Sequence, residues 1–449
     1  MKKYFRYVWL FLTFGGVLFI FHNINKYPTE IGYIFGWNTR YTNILISKWR
    51  LPTYSETATA YNPPFFYLIS GLFARLVSQI TNLSFIDSIK FWPYIGASLA
   101  MVGLYLWFKI IAKLHPTNKF LAFFCIVWIF SLPVFQKMMP MYTIEPFLLF
   151  TMALVFWYFI IIFQPKPTLK KTIILSILTS INILSRLSSL ILPPTIIFGI
   201  LGLGLLKRIS WKKVLSFLAI FIIATITTSG WFYYVKRNEK IVNSAGAGKM
   251  QNSTFSKYGL SFHIDIPFRH MMTYPLRLPP ENLNFLIPVY YSTFWGDYWN
   301  YYTQSRFNIS SDVLRNDRYI VNTQRIKSLS LQNQVNLIPT LLLLSGLFYH
   351  LIQVFKKIPN KLNDKWLTQS MFLIFFSLTW LGFLYFITFH SSWKNDGIKA
   401  CYMLFSIPIF IYMATVLLLK KIRKNKIIFI PIIIWLILAT SINLWWSWY

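Results

Sequence analysis

Twelve acidic side chains stand against 44 lysines and arginines in this 449-residue chain, so an acid beside an apolar run is a candidate for chemistry. Glu145 stands in "MPMYTIEPFLL", where a turn enters a long apolar run and Lys137 is the one cation in that turn able to balance it. An ionisable group at membrane depth is expensive and is a functional-site hypothesis by default. Arg186, in "NILSRLSSL", is a lone cation at the tip of an apolar hairpin; Lys399, in "NDGIKACYML", opens another apolar run, with Lys394 close by. Cations so placed can hold a phosphate, and a carboxylate in reach of a hydroxyl can take its proton. Asp297, in "TFWGDYWNYY", is flanked by Trp295, Tyr298 and Trp299, rings able to stack on sugar faces. Arg237 follows "GWFYYVK", and Glu30 and Glu56 lie in the first long polar loop, where each could act as a general base or metal ligand.

Each of these residues also has a plainer reading. Glu30, Glu56 and Glu145 read equally as solvated loop acids. Arg186 and Lys399 read as side chains snorkelling to lipid headgroups, and Arg237 as an ordinary juxtamembrane charge. The rings around Asp297 suit an interfacial aromatic belt. His22, His263, His270 and His390 lack metal-ligand spacing. Cys125 and Cys401 both fall within apolar runs, which argues against a disulfide framework or a cysteine metal site.

The elements that must position these residues are membrane helices. The chain is 56% hydrophobic and 20% aromatic, with only 12% charged residues, the composition of a polytopic membrane protein. Apolar runs cover 7–21, 91–108, 120–136, 146–163, 214–235, 337–355, 366–389, 400–419 and 427 onward, and the stretch 171–207 is long enough for two helices in a hairpin. The expectation is an all-α protein of about eleven transmembrane helices. The start "MKKYFR" resembles a signal peptide, but "FIFHNINKYP" lacks a small-residue cleavage site, so the first helix is expected to remain. A formal charge of +32 would suggest nucleic acid for a soluble chain; in a multi-span chain it points to anionic headgroups and lipid phosphates instead.

Half of the lysines and arginines fall in six short connections, around residues 2–6, 109–119, 166–171, 207–213, 356–365 and 420–426. The positive-inside rule places all six in the cytoplasm. The N-terminus is then cytoplasmic and the C-terminus outside, in a bacterial plasma membrane. Between Pro64 and Arg75 in "AYNPPFFYLISGLFARL" lie only ten residues, against the roughly 20 a crossing helix needs. An extra crossing there would also move every later cationic cluster to the wrong side. The segment is therefore expected to lie at the outer face, its start set by Pro63 and Pro64. Three regions follow: a transmembrane module over 1–235 with a first outer loop at 22–90 holding juxtamembrane helices, a larger outer-loop region over 236–334, and transmembrane helices over 335–449.

Several segments in order, "YTNILISKWRLP", "YNPPFFYLISGL", "YTIEP", "LSRLSSL", "GWFYYVKRN", "FWGDYW" and "IKACYMLFSIP", resemble the polyprenyl-phosphate-sugar-dependent glycosyltransferases of the GT-C superfamily. That group contains the protein O-mannosyltransferases and the lipid A aminoarabinose transferase, and the match covers most of the chain. The resemblance implies a GT-C-like fold and transfer of a hexosyl or pentosyl group, with inversion, from a polyprenyl-phosphate-linked donor. The acceptor would be a glycan, lipid or protein at the non-cytoplasmic face, and no nucleic acid would be involved. Glu145 resembles the acid of the family's second outer loop, and Arg186 the basic residue after the following span. The leaving phosphate is stable as an anion, so Arg186, Lys399 and Arg237 are its candidate ligands, without a general acid. The family's first-loop acid has no counterpart among Ile34, Phe35, Gly36, Trp37 and Asn38; Glu30 is the nearest. The carboxylate acting as base is left among Glu30, Glu145, Glu56 and Asp297. A divalent metal is compatible with the family but not indicated by any residue pattern. The rival readings are a flippase or transporter of lipid-linked glycans, expected to show inverted repeats and mid-membrane charges, and a catalytically silent relative.

Overall fold

The computed structural model describes residues 2–32, 34–237, 258–275, 285–299, 323–357, 363–389 and 397–448, and no strand occurs among them. The chain begins with α1 (Lys2–Lys26), followed by the first-loop helices α2 (Phe35–Lys48), α3 (Phe65–Thr81) and α4 (Phe85–Ile89). The bundle continues with α5 (Trp92–Leu114), α6 (Lys119–Phe130), α7 (Pro133–Met138), α8 (Glu145–Trp157, extended by a wider turn over Tyr158–Phe163), α9 (Leu169–Ile183), α10 (Leu192–Leu205) and α11 (Trp211–Lys236). Of the second long loop, the described residues form α12 (Ser261–Ile264), α13 (Phe268–Thr273), α14 (Leu286–Trp295) and α15 (Thr323–Val335). The chain closes with α16 (Leu337–Lys357), α17 (Asp364–Phe389), α18 (Ile407–Lys424) and α19 (Lys426–Ser447).

Among the described residues, eight helices are long and apolar enough to cross a membrane. The chain is thus an integral, multi-pass membrane protein. The other three expected segments are also helical: α1 with 25 residues, α6 with 12 and α9 with 15. Proline sets several helix starts, at the first turn of α5, α7, α8, α10 and α18, where its missing N–H leaves no bond unmade.

Two expectations need correction. The apolar run 120–136 is two helices, because Pro133 ends α6 and opens α7. The helix after Pro64 does not stop at Arg75 but continues to Thr81, giving 17 residues, with Arg75 on its exposed side. A charge marks where a helix meets water; it does not end the helix.

Small residues let the central helices approach. A Cβ at Gly103 of α5 would lie 2.8 Å from the Phe150 Cα of α8, and one at Gly346 of α16 would lie 2.4 Å from the Ala414 Cα of α18, the close packing expected where lipid supplies no hydrophobic drive. The span containing α18 is central, 78% of it buried, whereas α19 is 22% buried and peripheral. Three of the cationic connections, around 166–171, 207–213 and 356–365, meet at one end of the bundle. There Lys171 Nζ donates to the Ile162 carbonyl at 2.8 Å, Gln164 Nε2 to the Asp364 carbonyl at 3.2 Å, and Arg208 pairs with Asp364 at 3.0 Å.

Candidate functional site

The site lies at the other end, where the first-loop helices pack. Helices α2 and α3 close on each other through Gly71, where a Cβ would reach 2.7 Å from Thr42 Cγ2. Their facing side chains form a polar cluster. Tyr41 and Tyr67 stack with ring centres 3.9 Å apart; Tyr67 OH donates to Asn38 Oδ1 at 3.0 Å, and Tyr41 OH to the Asn62 carbonyl at 3.0 Å. This cluster holds the turn leading into α8. Tyr142 OH bonds Thr42 at 2.7 Å and Ser70 at 2.8 Å, and Asn38 Nδ2 donates to the Tyr142 carbonyl at 3.3 Å. Burial pushes the Tyr142 hydroxyl up to about 12, with both hydroxyl partners pulling the other way. Pro63 and Pro64 leave Phe65 N–H at the head of α3 free to reach outward, and it donates to the Leu184 carbonyl at 2.8 Å, tying that helix to the tip of the α9–α10 hairpin.

The residues set by these two anchors meet. Arg186 Nη1 pairs with Glu145 Oε1 at 2.5 Å, with side chains 14% and 3% exposed. One turn further in, Thr151 Oγ1 donates to Asn182 Oδ1 at 2.8 Å and Asn182 Nδ2 to the Thr151 carbonyl at 3.1 Å, which fixes α8 against α9 beneath the pair. A buried ion pair is held only where geometry is good, because both charges have left water. Arg186 also lies over the Tyr402 ring, its Cζ 4.7 Å from the centroid, and Lys399 Nζ is 5.8 Å from the same centroid.

Beyond Lys399 is a cavity of about 40 Å³, lined by Lys137, Lys399 and Asp297 with Trp299, Tyr298 and Cys401 among its walls. Lys137 and Lys399 are each 5% exposed and Asp297 is 7% exposed. Two bonds tie the segments that line it: Trp299 Nε1 donates to the Ile398 carbonyl at 2.8 Å and Ala400 N–H to Thr293 Oγ1 at 3.1 Å. Glu145 thus pairs with Arg186, Arg186 shares the Tyr402 ring with Lys399, and Lys399 lines the cavity together with Asp297 and Lys137.

The remaining candidates lie elsewhere. Glu30 is half-exposed and 3.8 Å from Lys90. Glu56 is clasped by Arg50 through both guanidinium nitrogens, with Thr53 N–H adding a bond at 2.8 Å, and Arg50 holds its carboxyl well below the usual carboxylate range. Arg237 is exposed and lies 3.6 Å over the Tyr234 ring of its own helix. Its neighbour Lys236 is the buried one, 1% exposed, donating to the Pro52 carbonyl at 2.7 Å. Lys394 and His390 lie outside the described residues. Among the described residues no three His, Cys, Asp or Glu side chains are grouped to hold a metal. Sequence reasoning missed Tyr402, the burial of Lys137 and the burial of Lys236. For Lys137 a signal existed, since it is the lone cation of a short apolar turn.

No family model and no curated protein matches the sequence. Among solved structures, the whole chain aligns with the apo oligosaccharyltransferase of Archaeoglobus fulgidus at a TM-score of 0.51 and 13% identity, covering 57% of that protein. The oligosaccharyltransferase AglB from Archaeoglobus fulgidus, in complex with an inhibitory peptide and a dolichol-phosphate, aligns over 99% of this chain and 56% of that one at 0.49 and 12%. ArnT from Cupriavidus metallidurans, bound to undecaprenyl phosphate, aligns over 90% and 77% at 0.39 and 12%. The fold is GT-C-like, and the chain spans a little over half the length of the oligosaccharyltransferases it aligns with.

Proposed function

We propose that the protein is a membrane glycosyltransferase that moves a sugar from a lipid-linked phosphate donor to an acceptor hydroxyl at the non-cytoplasmic face, with its N-terminus cytoplasmic and its C-terminus outside. The observation that carries this reading is the meeting of Glu145, Arg186 and Lys399 around Tyr402, buried at one end of a GT-C-like bundle. A carboxylate paired with one of two cations that share a ring offers the base and the positive charge that an inverting displacement at a phosphate-bearing anomeric carbon needs.

In that step the acceptor oxygen bonds to the anomeric carbon from the face opposite the phosphate. The carbon–oxygen bond to phosphate breaks, with its electron pair leaving on the phosphate, and the hydroxyl proton passes to Glu145. Arg186 and Lys399 supply positive charge, so the phosphate leaves without a protein acid. Burial keeps water from competing with the acceptor. The oligosaccharyltransferase likeness supports the fold alone; the placement of the charges supports the chemistry.

Purified protein in nanodiscs, given a polyprenyl-phosphate sugar and a mixed acceptor extract, should transfer sugar. Glu145→Gln should slow that transfer by about 10²–10⁴-fold, the usual worth of a general base. Full activity in Glu145→Gln, or loss of activity in Glu30→Gln instead, would move the base to the first loop.

A further inference from the structure

We propose that the exposed side of α2 is the docking surface for the acceptor, and that the acceptor is an anionic saccharide of several sugar units. This rests on the functional reading given above and deepens it by naming a substrate class.

The helical pair α2 and α3 exposes two unlike sides. On α3 the exposed side is apolar: Ile69, Leu72, Leu76 and Ile80, followed by Leu83 and Ile86 where the chain enters the span beginning at Phe85. That side suits lipid. On α2, Trp37, Arg40, Asn43 and Ser47 are exposed at helical spacing, with Lys48 and Trp49 at the helix end. Two cations and two polar groups between two indoles suit a hydrated partner rather than hydrocarbon. Charge then sets the sign of that partner. The acids of the first outer loop are already matched, Glu30 and Asp87 by Lys90 and Glu56 by Arg50. Among the described residues Arg40 and Lys48 make no ion pair, so this side of α2 is left positive. A guanidinium and an ammonium at the surface attract and hold a carboxylate or phosphate.

The rings set its body. Trp37 is 52% exposed and Trp49 65%, and an indole offers a flat apolar face to the C–H face of a sugar with a polar N–H at its edge. Trp49 caps α2 in the left-handed region, at φ 50°, where glycine is the usual residue and a bulky side chain is strained. An indole kept there against that strain points to a use for the ring. Both ends of the surface are held from beneath. The hydroxyls of Thr57 and Thr59 donate to the Trp37 carbonyl at 2.9 and 3.1 Å, and Lys236 Nζ holds the Pro52 carbonyl just past Trp49. A surface fixed in this way loses little freedom on binding. The opposite side of α2 is the one that holds Tyr142 and the turn before Glu145. One helix thickness, about 10 Å, separates the two sides, so the docked units and the reacting hydroxyl belong to one chain of several sugars.

The test measures binding of four probes to the full chain in nanodiscs: hexagalacturonate, a phosphorylated mannohexaose, neutral maltohexaose and hexaglutamate. Binding of either anionic saccharide supports the proposal, and the tighter of the two tells carboxylate from phosphate. Maltohexaose and hexaglutamate should each bind about tenfold more weakly or worse. Arg40→Gln combined with Lys48→Gln should weaken the anionic saccharide about fivefold or more, a difference that shrinks at high salt. Trp49→Gly should weaken it by about the same factor without lowering the thermal midpoint, since glycine suits the left-handed backbone. Arg75→Gln, which removes a charge from α3 instead, should leave affinity within about twofold. No binding by the parent chain, equal binding of maltohexaose or hexaglutamate, or an equal loss in Arg75→Gln would overturn the proposal. So would a spin label on Ser47→Cys that meets dissolved oxygen more than a water-soluble nickel chelate, because α2 would then face the membrane. If sugar is transferred but the acceptor KM is unchanged by the Arg40 and Lys48 substitutions, only this proposal fails; if docking behaves as expected and no sugar moves, only the functional reading fails.

Discussion

The two ends of the bundle use the same residue types for different ends. At the cation-rich end, lysine and arginine reach helix carbonyls and water: Lys171 caps the Ile162 and Lys166 carbonyls, Lys420 bonds the Tyr349 hydroxyl at 2.6 Å, and Arg208 with Asp364 remains about half exposed, at 59% and 47%. At the site end, Arg186 is largely withdrawn from water against Glu145 and the Tyr402 ring, and Lys399 and Lys137 are buried beside the cavity. Cations that satisfy helix ends need only their own side chains. Cations kept dry need a surrounding structure that holds them, and at this end α2, α3 and the turn before α8 provide it. Burial beside a carboxylate or a shared ring therefore sets these charges apart from snorkelling ones; burial alone does not, since Lys236 is buried and bonds the Pro52 carbonyl.

The comparison breaks first at Arg186. Arg186→Met leaves Glu145 without its guanidinium partner and should lower stability by about 3–5 kcal/mol, measured by thermal unfolding in detergent. Combining it with Glu145→Gln should recover part of that loss, a coupling that a double-mutant cycle reads directly. Simple additivity of the two changes would mean that the pair is no more than two neighbouring charges.

A smaller effect is expected one layer out, in the polar cluster that positions the turn before α8. Tyr142→Phe removes the hydroxyl shared by Thr42 and Ser70, which keep their bonds to the Asn38 and Tyr67 carbonyls, so the cost should be about 0.5–1.5 kcal/mol. Because that turn carries Glu145, kcat should fall more than KM rises. An unchanged kcat would show that the turn is held by backbone packing alone.

Much of the spans was legible in the sequence, since apolar runs and charge-rich links report the membrane directly. Glu145, Arg186 and Lys399 stood out for the same reason: each interrupts an apolar context. Their pairing did not, because Glu145 and Arg186 are 41 residues apart and sequence carries no record of which helix faces which. Tyr402 was invisible among the many aromatic residues of the chain, a fifth of its length. The ends of α3 and α6 were misjudged through one confusion: Arg75 looked like a helix end and is not, whereas Pro133 looked like mid-span and is a helix start. Proline acts on the backbone itself, while arginine acts only on where the helix sits relative to water.

The smallest effects belong to exposed pairs. Glu56 bears on the matter because its carboxyl is held below the ordinary range by Arg50. A depressed folded pKa contributes stability above the unfolded value, near 4.3, and loses it as pH falls through the folded value. The Arg50–Glu56 clasp should thus be fully formed at neutral pH and weaken only in strong acid, and Glu56→Gln should leave neutral-pH activity unchanged. At the far end, Arg208→Cys breaks an exposed pair and should cost at most about 1 kcal/mol with no change in transfer rate. The introduced thiol also reports sidedness, because the native Cys125 and Cys401 are buried. In intact cells an impermeant maleimide should fail to reach position 208 until the membrane is opened. Labelling without permeabilisation would put the cation-rich end outside, and Glu145, Arg186 and Lys399 would then face the cytoplasm, where the proposed reaction would have to draw its acceptor from a different compartment.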